Sequence, residues 1–132
     1  MSGKPVPEIT EMNRAFFEGT ARGELRLRHC RSCDAVFRFA HPLCPDCWSD
    51  ALDHVVASGK GTVESFTIVH MPPYEAWAAD VPYVIALIKL EEGVRMMANI
   101  DGDGADVAVG MPVEVWFERR DDVAIAQFRR SK

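Results

Sequence analysis

The chain lacks an uninterrupted apolar run of the roughly 18 residues a membrane-spanning helix needs, so no membrane span is expected. Its first residues read Met-Ser-Gly-Lys-Pro-Val-Pro-Glu, with no apolar stretch behind the lysine, so no secretory signal is expected either. A cytoplasmic protein is the resulting expectation. There is no G-x-S-x-G, no Walker loop and no G-x-G-x-x-G, so the usual nucleophile elbow and phosphate cradles are excluded. Positive charge is scarce. The net charge is −5 and the pI about 5.3, which weakens any reading as a bulk-charge binder of polyanions. The deficit is uneven: residues 1–60 carry 8 Lys/Arg and 8 Asp/Glu, whereas residues 61–132 carry 7 and 12, a net of −5. Neither an internal repeat nor a low-complexity segment is present. What remains is an ordinary globular composition, 48% hydrophobic and 27% charged over 132 residues, enough for one domain or two small modules.

Cysteine is absent except in one 18-residue window, which holds all four: Cys30, Cys33, Cys44 and Cys47. Two Cys-x2-Cys pairs separated by ten residues are a strong metal signature. Each tight turn lets two thiolates point at one ion about 2.3 Å away, and two turns complete a tetrahedron. Two disulfides would suit an exported mini-protein, and a redox Cys-x2-Cys would need one pair beside a βαβ unit. Iron shares the tetrahedral sulfur chemistry, but zinc is the expected ion. His29 and His41 flank the pairs, yet four thiolates already close the site, so the metal is expected to be structural. Leu25–Asp50 holds few large apolar residues (Leu25, Leu27, Val36, Phe37, Phe39, Leu43 and Trp48) and cannot build its own core.

Around this window the chain divides into three expected parts: a tail and helix over 1–24, a zinc ribbon over 25–58, and a barrel over 59–132. Thr10 is a plausible N-cap, with Glu11 in the first turn. Met12, Ala15, Phe16 and Gly19 then recur at helical spacing, and Gly19 or Gly23 ends the helix. Its Met12/Phe16 face needs cover, from this chain or from a partner. Leu25–His29 alternates and enters the ribbon as a strand. Beyond Gly61, five short strands are expected: Thr62–His70, Tyr83–Leu90, Val94–Ile100, Val113–Phe117 and Val123–Phe128. Tyr83–Leu90 is so continuously apolar that burial on both faces is expected. An antiparallel OB-type barrel fits the count, with a small sandwich or SH3-like barrel as the alternative. The fold class is therefore mainly β, with an N-terminal helix, a zinc ribbon and a five-stranded barrel.

Candidate contact residues are few. His70 sits where a strand meets the long insert His70–Pro82, which carries Tyr74 and Trp77 between prolines. Trp77 either folds back as core or anchors a ligand or partner. Trp116, on a strand face with Glu114 and Glu118, is a further candidate for exposure. Arg22, Arg26, Arg28, Arg31 and Arg38 cluster early, as a solvated face or as a site for phosphate.

One combination of motifs goes further. Phe16-Phe17-Glu18-Gly19, Gly23-Glu24-Leu25, His29-Cys30-x2-Cys33, Pro42-Leu43-Cys44-Pro45-x-Cys47, Ser58-Gly-Lys-Gly-Thr-Val63, Val69-His70-x-Pro72-Pro73, Pro82-Tyr83-Val84 and Gly110-Met-Pro-Val113 occur in this order. Over residues 9–130 the chain resembles the acyl-CoA-associated zinc-ribbon plus OB-fold family, long filed under domain of unknown function thirty-five. The resemblance implies a helix, a rubredoxin-like ribbon held by Cys30, Cys33, Cys44 and Cys47, and an OB barrel. It also implies a non-catalytic accessory subunit that binds acyl-CoA, a thiolase-superfamily enzyme such as a thiolase or thiolase-like aldolase, or a hydratase. The setting would be acyl-CoA or steroid metabolism, and the assembly a homodimer or hetero-oligomer. The expected ligand and partner contacts are Phe16, Phe17, Arg31, Arg38, His70, Tyr74 and Trp77. A stand-alone acyl-CoA hydrolase using His70 is the alternative. A single-strand nucleic-acid module is a weaker third, because the barrel half is net −5 where such sites need a positive groove.

Overall fold

The computed structural model describes residues 6–11, 13–38, 42–73, 75–120 and 122–131. A helix, α1 (Arg14–Ala21), is followed by three ribbon strands: β1 (Arg26–Cys30), β2 (Val36–Phe37) and β3 (Leu52–Val56). Five longer strands complete the chain: β4 (Lys60–Val69), β5 (Tyr83–Leu90), β6 (Arg95–Ile100), β7 (Pro112–Arg120) and β8 (Val123–Arg130). A single 3-10 turn at Glu75–Trp77 interrupts the insert between β4 and β5. No helix among the described residues is long and apolar enough to cross a membrane.

The helix starts later than its Thr10 signal suggests. Asn13 explains the delay: its side-chain oxygen accepts the Thr10 N–H at 2.7 Å and its side-chain amide donates to the Glu8 carbonyl at 3.0 Å, which ties the chain before α1 into a non-helical approach. Met12 lies outside the described residues. At the other end Gly23, in the left-handed region at φ 79°, stops the helix, and the Glu24 N–H returns to the Gly19 carbonyl at 2.8 Å. Gly19 itself lies inside the helix. A Cβ there would stand 2.6 Å from Cδ of Arg26, so glycine is what lets β1 cross close beneath α1.

Order in the ribbon sheet is β2-β1-β3, all antiparallel. The remaining strands close into a barrel, β4-β5-β6-β8-β7, as expected for an OB fold. Closure is completed by one parallel contact, Ile100 opposite Phe128. One core serves helix, ribbon root and barrel together: Phe16, Leu25 and Leu27 pack with Val63, Val84, Ile88, Val113 and Phe128. Phe16, on the α1 face that needed cover, is buried by this chain. A second, much smaller cluster holds the ribbon tip, and among the described residues two of its three buried members are Cys30 and Cys44.

Burial on both sides of β5 is not what the structure shows. Val84, Ala86, Ile88 and Leu90 are buried, whereas Tyr83, Ile85 and Leu87 are only partly so and Lys89 is exposed. The strand alternates in burial although it does not alternate in polarity, because no second layer among the described residues lies over its outer side.

Candidate functional site

Two short turns build the ribbon's chemistry. After β1 ends on Cys30, the chain turns through Cys33 to Asp34, whose N–H donates to the Cys30 carbonyl at 2.8 Å. The second turn repeats this, with the Trp48 N–H donating to the Cys44 carbonyl at 2.9 Å. In each, the residue after the second cysteine is left-handed, at φ 63° for Asp34 and 67° for Trp48. The turns bring the four sulfurs within 4.8 Å of one another. Cys30 Sγ lies 3.5 Å from Cys47 Sγ, and Cys33 Sγ 3.5 Å from Cys44 Sγ. A disulfide would require about 2.05 Å. Thiolates about 2.3 Å from one tetrahedral ion stand roughly 3.8 Å apart, so this donor set fits zinc.

The four thiols do not ionise alike. Burial raises Cys30, but the Cys33 and Ser32 N–H groups outweigh it and bring the thiol down to about 6. At Cys33 the Ala35 N–H lowers the thiol, while the Cys44 sulfur and burial overcome it and push it up to about 12. A dication removes this conflict by making all four thiolates favourable together. His29 serves the site from outside. Its Nδ1 lies 2.7 Å from Asp53 and its Nε2 3.1 Å from Asp34, which ties β3 to the first turn. Hydrogen bonds first to Asp53 and then to Asp34 hold the imidazole above its ordinary pKa.

Trp48 is 76% exposed, so the ribbon tip gains no packing from it. Its left-handed backbone costs an L-residue about 1–2 kcal/mol, against roughly 0.5–1 kcal/mol for glycine's extra chain entropy. Replacing Trp48 by glycine is therefore expected to stabilise the metal-loaded protein by about 0.5–1 kcal/mol, a rise in melting temperature of roughly 2–4 °C. Calorimetry that found the variant less stable than the parent would refute this reading of the turn.

The expected contact residues are scattered. Phe16 is buried in the main core and meets Phe17 edge-on at 5.2 Å, so Phe16 has no face left for a partner and Phe17 only part of one. The reason is the shared core, which the helix completes. Arg31 is exposed on the first ribbon turn, while Arg38 is half-buried and burial lowers its guanidinium. His70 is exposed just beyond β4 and has no hydrogen-bonded carboxylate among the described residues. Tyr74 lies outside the described residues. Trp77 folds back onto the barrel, its ring 5.0 Å from that of Tyr83 and 5.8 Å from the Arg120 guanidinium.

Two surfaces on the barrel emerge that local sequence patterns did not single out. On the outer side of β5 and β6, Ile85 and Leu87 stand beside Met97, which is 64% exposed, above a shallow cavity of about 280 Å³. Leu87 pairs with Met97 and Ile85 with Asn99, so the apolar strip runs upward to Asn99. There it meets a larger groove of about 500 Å³, walled by Trp77 and Trp116. Asp80, Asp101, Asp103 and Glu118 line it against the guanidinium of Arg120. Trp116 Nε1 donates to Asp101 Oδ1 at 3.0 Å, and Glu118 accepts from Arg120 at 2.9 Å and from Gln127 at 2.8 Å. Burial raises the Asp101 carboxyl, and the Trp116 hydrogen bond only partly offsets it.

Comparison with known proteins matches both halves. Residues 17–53 fit the rubredoxin-like zinc ribbon domain of ChsH2, and residues 54–118 its C-terminal OB-fold domain. The 3-oxo-4,17-pregnadiene-20-carboxyl-CoA hydratase alpha subunit of Mycobacterium tuberculosis is 43% identical over 115 residues. That match covers 84% of this chain but only 35% of the hydratase subunit. A DUF35 domain-containing scaffold protein of Methanothermobacter thermautotrophicus is 32% identical, over 84% of each chain. Among solved structures, a chain of the Ltp2-ChsH2(DUF35) aldolase superposes with a TM-score of 0.83 at 34% identity, covering 95% of this chain and 98% of that one.

Proposed function

We propose, from the premise that this chain belongs to the ChsH2 family of rubredoxin-like zinc-ribbon and OB-fold proteins, that it is a non-catalytic accessory subunit. Its partner would be a thiolase-superfamily enzyme such as a thiolase-like aldolase, or a hydratase, acting on acyl-CoA in steroid or lipid metabolism. One observation carries the reading. The β5 sequence is apolar on both faces, yet the described residues bury only one fully, leaving half-buried Ile85 and Leu87 beside exposed Met97. A contiguous apolar strip on a small barrel marks a surface that another protein covers. Structural zinc held by Cys30, Cys33, Cys44 and Cys47 would keep the ribbon preformed, which lowers the ordering cost of docking. The names of the relatives point the same way: a hydratase alpha subunit, a scaffold protein and an aldolase complex.

Acyl-CoA is the proposed ligand of the assembly, with Arg31 available for its phosphates. The alternative, a hydrolase built on His70, gains no support, since His70 has no acidic partner among the described residues. Co-expression with a thiolase-like aldolase subunit tests the proposal. The wild-type chain is expected to co-purify at fixed stoichiometry, and Leu87→Asp to weaken the complex at least 100-fold, as burying an unpaired carboxylate in an apolar contact does. Failure of the wild-type chain to co-purify with aldolase or hydratase subunits, or release of CoA by this chain alone, would overturn it.

A further inference from the structure

We propose that the groove between Trp77 and Trp116 is a receptor for an arginine side chain of the partner protein. The groove's chemistry is one-sided. Asn99 spends its amide on the Val84 carbonyl at 2.8 Å, which leaves its side-chain oxygen as an acceptor. Asp101 uses Oδ1 for Trp116, and its second oxygen has no hydrogen bond among the described residues. Of the lining carboxylates, Glu118 already accepts from Arg120 and Gln127, while Asp101 keeps its second oxygen. The Asp101 side of the groove, with acceptor oxygens on Asp101 and Asn99, suits a group with donors only, and guanidinium has five and no acceptor.

Its aromatic walls select further. Indole faces bind cations through the ring quadrupole, and a planar guanidinium also stacks on them. The chain already uses this chemistry once, with Arg120 over Trp77 and bonded to Glu118. Asp101 is the half of the groove that lacks such a cation. It is partly desolvated, and Arg129, the cation acting on it from a distance, already reaches Glu114 at 3.4 Å. A phosphate-bearing ligand is repelled by the same charges. Through the Asn99–Ile85 pairing the groove continues the apolar strip, so one docking partner reaches both.

The occupant rests on the accessory-subunit reading, but its test does not, because it uses this chain alone. The zinc-loaded protein is titrated with the peptide Gly-Arg-Gly while the three tryptophan indole N–H signals are followed by NMR. The Trp116 and Trp77 signals are expected to move, with a dissociation constant on the order of 1 mM, while exposed Trp48 stays still. Gly-citrulline-Gly, isosteric but uncharged, is expected to bind at least tenfold more weakly, as is Gly-Arg-Gly to Asp101→Asn. Equal shifts with citrulline, shifts driven by coenzyme A, or no shift at 20-fold excess over the order-of-magnitude constant would each overturn the assignment. Shifts that depend on protein concentration without peptide would also overturn it, in favour of a second copy as occupant. The citrulline arm needs no variant, so it decides the matter even if Asp101→Asn misfolds. A failed titration leaves the Leu87 test standing, and a failed Leu87 test leaves the titration standing.

Discussion

Stripping the metal with a chelator, or replacing Cys44 by serine, is expected to melt residues 31–51 while strands β4–β8 stay folded. The ribbon tip has little else to hold it. Among the described residues, its buried cluster adds only Phe37 to Cys30 and Cys44, with Ala35 and Leu52 partly buried against it. β2 is two residues long. Structural zinc in such modules contributes about 10–16 kcal/mol, as much as the whole stability of a typical domain, about 5–15 kcal/mol. No rearrangement of three side chains replaces that. The root of the ribbon behaves differently, because Leu25 and Leu27 are buried in the barrel's core. Amide spectra should therefore lose dispersion over the cysteine turns and keep it at Leu27 and throughout the barrel. A metal-free protein whose Cys33 and Trp48 amides keep their positions would refute the assignment. Lowering the pH should imitate the chelator, since protons compete with the ion for thiolates.

That outcome depends on chemistry the sequence displays openly. The cysteine turns are local, each closed by an N–H returning to the carbonyl of its first cysteine, so spacing alone pairs the sulfurs within each turn. The barrel strands were nearly as readable, because alternation in Arg95–Ile100 and Pro112–Arg120 reports which side faces the core. Other features depended on distant partners. The periodicity of α1 showed that Phe16 needs cover but not that β1 and β8 supply it. The apolar run of β5 could not say that one face would remain open. The exposure of Trp48 was not legible, because composition does not reveal φ. The Trp77–Trp116 groove draws on the insert before β5, on residues 99–103 and on Trp116, Glu118, Arg120 and Gln127, which closure of the barrel brings together. The signal available beforehand was weak: two tryptophans, one in an insert and one on a strand with glutamates on either side.

Closure of that barrel sets the second large effect. Phe128→Ala is expected to cost about 3–5 kcal/mol, the usual penalty for emptying a fully enclosed aromatic site. Phe128 is 0% exposed and sits at the one place where β8 meets two neighbours at once, opposite Val115 on β7 and Ile100 on β6. Its carbonyl accepts the Asp101 N–H at 3.0 Å, so the seam and the start of the groove loop share this residue. A cavity here cannot collapse easily, because the backbones around it are held in a closed ring. The loss should also spread beyond the barrel. Phe16, Leu25, Leu27 and Phe128 belong to one core, so helix, ribbon root and barrel should unfold together at a lower denaturant midpoint. Hydrogen exchange distinguishes this from local damage: amides of Leu27 in the ribbon and Val84 in the barrel should lose equal protection. A shift below about 1 kcal/mol, or loss of protection confined to β8, would mean that the barrel seam tolerates a void and that the ribbon root stands without it.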